Sequence, residues 1–271
     1  MATIADKGTA LITGASSGIG AIYADRLARR GHDLVLVARN QERLDALAQR
    51  LREQTGRTVR TVAADLGDEA GLARVEALLR EDAGITTLVN NAGFGATAPL
   101  LASDIGRMVE MIAINVTAPT RLVHALAPGL VARGGGTIIN ISSIAAVSPE
   151  ILNGVYSGTK AFVLAFSQSL HHELADKQVR VQAVLPGATA TEFWGIAGVP
   201  LEHLPGEIVM PAEAMVDAAL AGLDQGELVT IPALPELADW QAYDTARLAL
   251  KPNLSRQAPA ARYGVRSGAV A

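Results

Sequence analysis

Tyr156 and Lys160 stand four residues apart in an apolar helical pattern over Val155–Leu174, and Ser143 lies thirteen residues before the tyrosine. Positions four apart on a helix share a face, so a phenol and an ammonium would be neighbours. An ammonium beside a phenol favours the phenolate, drawing a pKa of about 10 toward neutrality. Tyr156 would then protonate a carbonyl oxygen in reduction and deprotonate an alcohol in oxidation. Ser143 ends an apolar run, where open α/β sheets gather ligands, and its hydroxyl would hydrogen-bond the reacting oxygen. Strand alternation turns its neighbour Ser142 the other way. A tyrosine and a lysine that merely share an exposed helix face are the plain alternative, and the place of Ser143 weighs against it.

A second group could hold a dinucleotide. In Thr13-Gly14-Ala15-Ser16-Ser17-Gly18-Ile19-Gly20 the glycines follow a predicted strand and open a predicted helix. Glycine lets the backbone approach a pyrophosphate, and free N–H groups at a helix start attract its charge. The spacing is Gly-x3-Gly-x-Gly, and a purely steric strand-to-helix turn is the alternative. The next strand ends Val37-Ala38-Arg39-Asn40. Ala38 offers no carboxylate to a ribose hydroxyl, whereas the Arg39 guanidinium suits a 2′-phosphate. NADP(H) is therefore the expected cofactor, with NAD(H) as the alternative if Arg39 is only a solvated surface charge.

Short apolar runs must carry these loops. Seven candidate strands, Thr9–Thr13, Asp33–Ala38, Thr58–Ala63, Thr86–Asn90, Gly136–Ser142, Val179–Leu185 and Glu227–Ile231, alternate with amphipathic segments such as Gln41–Gln54 and Glu69–Glu81. Such alternation predicts an α/β fold, a Rossmann-like doubly wound parallel sheet of about seven strands with helices on both faces. With 271 residues, 49% of them hydrophobic and only 4% aromatic, the chain can fill one core with aliphatic side chains. Residues 1–250 are expected to form one catalytic domain and 251–271 a loosely ordered tail with four basic residues and no acidic one. Pro235–Leu250 reads as an extra helix.

A net charge of −4 provides no basic field for nucleic acid. The absence of cysteine excludes disulfides and thiolate chemistry. Asp6 and Lys7 interrupt the N-terminus, and no membrane span is legible, so a cytoplasmic protein is expected. His171 and His172 are adjacent and point about 100° apart on a helix, which argues against a shared metal.

In order along the chain, Thr13–Gly20, Asp65-Leu66, Asn90-Asn91-Ala92-Gly93, Asn115, Ser143, Tyr156-x-x-x-Lys160 and Pro186-Gly187 resemble the short-chain dehydrogenase/reductase superfamily in its compact single-domain form. The resemblance covers residue 8 to about residue 232. It implies that Asp65 and Leu66 flank the adenine, and that Asn91, Ala92 and Gly93 support the cofactor ribose. Asn115, in the helical segment Arg107–Leu126, would hold a water in a proton relay to Lys160, which would also bind the nicotinamide ribose. Pro186, Gly187, Thr189 and Thr191 would contact the nicotinamide carboxamide. A homodimer or homotetramer is implied as well. Ser17 departs from the basic residue that many NADP-using relatives carry in the glycine loop.

Residues 190–210 resemble a substrate lid. Phe193 and Trp194 either anchor this lid or touch substrate, and Phe94, Ile144, Val147 and Leu152 could extend an apolar wall. No Lys or Arg occurs between Pro186 and Met210. These features predict a neutral, apolar ketone, aldehyde or secondary alcohol as substrate. The competing reading is a dinucleotide-binding sensor or scaffold without turnover.

Overall fold

A computed structural model describes residues 7–265. Seven parallel strands, β1 (Thr9–Thr13), β2 (Asp33–Ala38), β3 (Val59–Ala63), β4 (Ile85–Asn90), β5 (Gly136–Ile141), β6 (Val179–Val184) and β9 (Val229–Thr230), form a sheet in the order β3-β2-β1-β4-β5-β6-β9. The order reverses at β1, which pairs with β2 on one side and β4 on the other. A crevice opens at the carboxyl ends of strands at such a switch point. All seven expected strands are present. β1 and β2 have the expected bounds, β3 to β6 differ by one residue at one end, and β9 is the shortest, its register holding only Ala183↔Val229 and Val184↔Thr230.

The helices are α1 (Gly18–Arg29), α2 (Gln41–Thr55), α3 (Glu69–Glu81), α4 (Ile105–Ile112), α5 (Ala118–Ala132), α6 (Gly154–Leu174), α7 (Phe193–Ala197), α8 (Ala212–Asp224) and α9 (Leu237–Ala249). Alternate strand residues feed two cores. Ala10, Ile12, Leu34 and Leu36 pack with α1, α2 and α8, while Leu11, Val35, Leu88 and Ile138 pack with α3 and α5. A buried polar thread ties α6 to the sheet. Asn90 Nδ2 donates to Asn140 Oδ1 at 2.9 Å, and Asn140 Nδ2 donates to Ser167 Oγ at 2.9 Å. Unpaired buried amides would be costly, so this thread fixes how α6 lies on β4 and β5.

The helical segment expected over Arg107–Leu126 is not one regular helix. A π-helical turn, Ala113–Thr117, joins α4 to α5 and contains Asn115. Two further short strands, β7 (Thr189–Ala190) and β8 (Met210–Pro211), pair in parallel and tie together the two ends of the expected lid.

The chain separates into two compact units, one ending at Pro232 and one beginning at Ala233. The second holds α9, close to the helix expected over Pro235–Leu250, and none of its residues is buried. It continues through short 3-10 turns at Lys251–Asn253 and Ala261–Tyr263. The last six positions of the tail, 266–271, and the N-terminal Asp6 lie outside the described residues. Among the described residues, no helix is long and apolar enough to cross a membrane.

One buried group should make this fold acid-sensitive. His32 is buried with Nδ1 unpartnered, and burial, reinforced by the charge of Lys7, lowers its pKa to about 4. The unfolded chain therefore takes up this proton first, and stability is lost as pH falls from about 6.5 toward about 4. Urea unfolding at pH 7 and pH 4.5 should show wild type losing about 2 kcal/mol more than His32→Gln. Equal losses would remove His32 as the cause.

Candidate active site

α6 begins where Asn153 caps it, its side chain accepting from the backbone N–H groups of Val155 and Tyr156. One turn later Tyr156 and Lys160 face the sheet, both buried. Lys160 is held at two points. Its Nζ donates to the Ile141 carbonyl at 2.9 Å, and its own carbonyl accepts from Ser142 Oγ at 2.8 Å. The two serines at the end of β5 thus diverge: Ser142 secures α6, and Ser143 reaches the Tyr156 phenol. Ser143 Oγ also accepts from Ala145 N–H at 3.1 Å, which starts a 3-10 turn over Ile144–Ala146.

The electrostatics correct the sequence expectation. Burial pushes the Tyr156 pKa up to about 12, and only the hydrogen bond with Ser143 pulls it down. Burial also lowers Lys160 to about 8. The ammonium lies 5.7 Å from the Tyr156 ring centroid and bonds to Ile141 instead. Desolvation therefore dominates, and the phenol keeps its proton at neutral pH.

One cleft of about 770 Å³ runs from the glycine loop to the segment expected to form a lid. Its phosphate end holds Gly14, Ser16, Ser17, Gly18 and Ile19, with Arg39 beyond β2 and Asp65 and Leu66 beyond β3. Its middle holds Asn91, Ala92, Gly93, Ser143, Tyr156 and Lys160. Pro186, Gly187, Thr189 and Thr191 line the far wall, and Phe94, Ile144, Leu152, Phe193 and Trp194 line it as well.

Two expected site residues are not on this wall. Gly20 is buried against the glycine loop, where a Cβ would stand 2.3 Å from the Gly14 carbonyl oxygen. Asn115 lies behind the cleft: its Nδ2 donates to the Phe94 carbonyl at 3.0 Å and Thr159 Oγ1 at 3.1 Å, while its Oδ1 accepts from Phe94 N–H at 3.2 Å. Val147 does not line the cleft either. Asn91 supports the loop through its amide, which donates to the carbonyls of Thr13 at 2.9 Å and Gly14 at 3.2 Å.

The phosphate end suits a dinucleotide. α2, α3, α4 and α6 are capped by the side chains of Asn40, Asp68, Asp104 and Asn153, but Ser17 makes no side-chain cap on α1. The first N–H groups of α1 are left for an anion at the cleft wall. Gly18 has φ +51°, and a Cβ there would press on Thr191. Among the described residues, His, Asp and Glu form no cluster that could hold a metal ion.

Thr13, which opens the glycine motif, lies behind the cleft and links β1 to β4, its hydroxyl accepting from the N–H groups of Asn91 and Ala92, both at 3.0 Å. Sequence reasoning missed several contacts of cleft residues. Arg43 and Glu192 pair across the cofactor end. Arg107 stacks 4.4 Å over the Phe94 ring while bonding to Glu110 at 2.5 Å. The sequence hints were Arg43, four residues after Arg39, and the i,i+3 spacing of Arg107 and Glu110; no local spacing links Arg43 to Glu192 or Arg107 to Phe94. Trp194 serves as an anchor, since it is buried and its Nε1 donates to the Thr189 carbonyl at 3.0 Å. Phe193 faces the site, with its ring centroid 5.8 Å from that of Tyr156.

The family model for short chain dehydrogenases matches residues 8–197. A very-long-chain 3-oxoacyl-CoA reductase from Anas platyrhynchos is 38% identical over 189 residues, which are 68% of this chain and 60% of that protein. This chain thus spans less than two thirds of the curated relatives it matches. A short-chain dehydrogenase from Sphingobium yanoikuyae, solved in complex with NADPH, superposes with a TM-score of 0.92 at 51% identity, covering 94% of this chain and 99% of that one. A bulky-bulky ketone specific alcohol dehydrogenase from Comamonas testosteroni gives a TM-score of 0.88 at 46% identity, covering 96% and 99%. Motifs, sheet order and these similarities agree: the chain belongs to the short-chain dehydrogenase/reductase family.

Proposed function

We propose that the protein is an NADP(H)-dependent carbonyl reductase and secondary alcohol dehydrogenase acting on neutral ketones with bulky apolar groups. The observation that carries this reading is a buried Tyr156 hydrogen-bonded with Ser143, in a cleft that is apolar at one end and has a free Arg39 at the other. NADP(H), when bound, supplies or accepts the hydride. In reduction the substrate oxygen accepts hydrogen bonds from Ser143 and Tyr156, and takes the Tyr156 proton as the carbon gains its hydrogen. The phenolate left behind is stabilised by the Lys160 ammonium, still charged near neutral pH with its pKa of about 8. Oxidation runs these transfers backward. Asn115 acts through the chain, fixing Phe94 and Thr159 behind Lys160, and would hold the relay water from there.

The substrate end supports an uncharged ligand. Ile151, Leu152 and Phe94 line it from the body, and Ile196, Leu204 and Ile208 from the lid. Its one arginine there, Arg107, is offset by Glu110. The similarity to a bulky-bulky ketone dehydrogenase points the same way. The lid is pinned by Thr97, whose hydroxyl donates to the Ala197 carbonyl at 2.8 Å. Steady-state rates should favour aryl alkyl and diaryl ketones over a 3-oxoacyl thioester; the opposite order would refute the substrate class.

Arg39 is exposed in the cleft with no ion-pair or hydrogen-bond partner among the described residues. A charge-assisted hydrogen bond contributes about 1.5–3 kcal/mol. Arg39→Ala should therefore raise the NADPH dissociation constant roughly tenfold to a hundredfold and leave NADH nearly unchanged. Fluorescence titration checks this, and equal losses for both cofactors would return Arg39 to the surface.

A further inference from the structure

Glu192 opens the lid, between Thr191 of the cofactor wall and Phe193 of the substrate wall. Arg43 Nη1 donates to both of its carboxylate oxygens, at 3.2 and 2.9 Å. The Ser17 hydroxyl donates to the same carboxylate. These three residues come from α2, the lid and the glycine loop, and all of them line the cleft. The guanidinium keeps the Glu192 carboxyl below its usual range, so it is ionised at neutral pH. Arg39 and Arg43 flank the start of α2, yet only Arg43 has a carboxylate.

A phosphate placed against this helix start meets Arg39 freely but must compete with Glu192 for Arg43. We propose that Glu192 is a built-in counter-ion of the 2′-phosphate subsite, holding Arg43 when no phosphate is present and yielding it to NADP(H), so that NADP(H) but not NAD(H) frees the start of the lid. The proposal rests on the NADP(H) reading above. It follows from relative strengths. Both partners are about half exposed, with side-chain exposures of 52% and 59%, and such pairs are weak. A phosphate dianion offers more charge and more acceptor oxygens than a carboxylate, so it wins the guanidinium. The displaced carboxylate is then repelled by the phosphate, and because it belongs to the lid, that repulsion acts on the lid. NADH has no 2′-phosphate and leaves the pair intact. A ligand shifts such a two-state contact only through different affinity for its states, and the 2′-phosphate supplies that difference.

The test uses the full chain, titrated with NADPH and with NADH by fluorescence, and hydrogen exchange of the lid peptides in each state. Glu192→Gln keeps the size of the side chain and removes its charge. It should tighten NADPH about fivefold and leave NADH unchanged. Arg43→Ala should weaken NADPH about tenfold, again sparing NADH. In the double variant the gain from Glu192→Gln should shrink, because competition for Arg43 is gone and only the repulsion between carboxylate and phosphate is left to relieve. Lid exchange near residues 192–197 should rise with NADPH, but not NADH, in wild type, and should already be raised in unliganded Glu192→Gln.

If wild type binds NADPH no tighter than NADH, the NADP(H) reading and the counter-ion proposal fall together. If NADPH is preferred but Glu192→Gln leaves that preference unchanged, or tightens both cofactors alike, only the counter-ion role is refuted. Lid exchange that responds equally to the two cofactors likewise refutes the coupling. Melting temperatures of both variants, expected within a few degrees of wild type for an exposed pair, separate these outcomes from misfolding.

Discussion

Tyr156→Phe should lower kcat roughly 10²–10⁴-fold while NADPH affinity stays close to that of wild type. The substitution removes one oxygen and keeps the ring, so the packing against Phe193 at 5.8 Å and against Met108, Met111 and Ala145 persists. Only the proton donor to the substrate oxygen is lost. Burial raises the phenol pKa to about 12, so the side chain holds a proton at neutral pH. Stopped-flow or steady-state reduction checks the rate, and fluorescence titration checks binding. Retained turnover would remove Tyr156 from the chemistry, and lost NADPH binding would give it a structural role instead.

Gly20→Ala should damage the enzyme differently, weakening NADPH and NADH together by about 100-fold. A Cβ at Gly20 would sit 2.3 Å from the Gly14 oxygen and 2.6 Å from Asn91 Nδ2. The first of these is backbone and cannot swing away. The glycine loop must move, and with it the uncapped N–H groups of α1 that would face the pyrophosphate. Overpacking of this kind costs about 1–3 kcal/mol or more, so a lower melting temperature should accompany the weaker binding. Gly158→Ala provides the contrast. It lies in α6, two residues after Tyr156, and a Cβ there meets nothing within 4 Å. Replacing that helical glycine should add roughly 0.5–1 kcal/mol of stability and leave both cofactors bound as before. Equal behaviour of the two variants would refute a special role for the loop.

The contrast also shows which parts of the molecule were legible in its sequence. Strands such as Thr9–Thr13 and Asp33–Ala38 were readable because strands buried on both faces are short unbroken apolar runs. The helix over Glu69–Glu81 was readable because its apolar positions recur three and four apart. Tyr156 and Lys160 needed only one helix to become neighbours. Other features depend on tertiary contact. Arg43 and Glu192 are 149 residues apart, and no local pattern couples them. Arg107 over Phe94 is equally invisible, although it bears on substrate charge. The π-turn around Asn115 needs the surrounding fold, because its sequence Ala-Ile-Asn-Val-Thr carries no breaker. The acidity of Tyr156 was misjudged for the same reason: spacing reveals a neighbouring charge but not the loss of water around it.

The central proposal is hydride transfer to a bulky ketone with Tyr156 as proton donor. The most direct test is incubation of the purified protein with an aryl alkyl ketone and NADPH deuterated at nicotinamide C4, on each face in turn, followed by mass spectrometry of the product. The account predicts a secondary alcohol with one deuterium on the carbinol carbon from one face only, and no alcohol from Tyr156→Phe. Tight NADPH binding with no labelled alcohol from any neutral bulky ketone would contradict it.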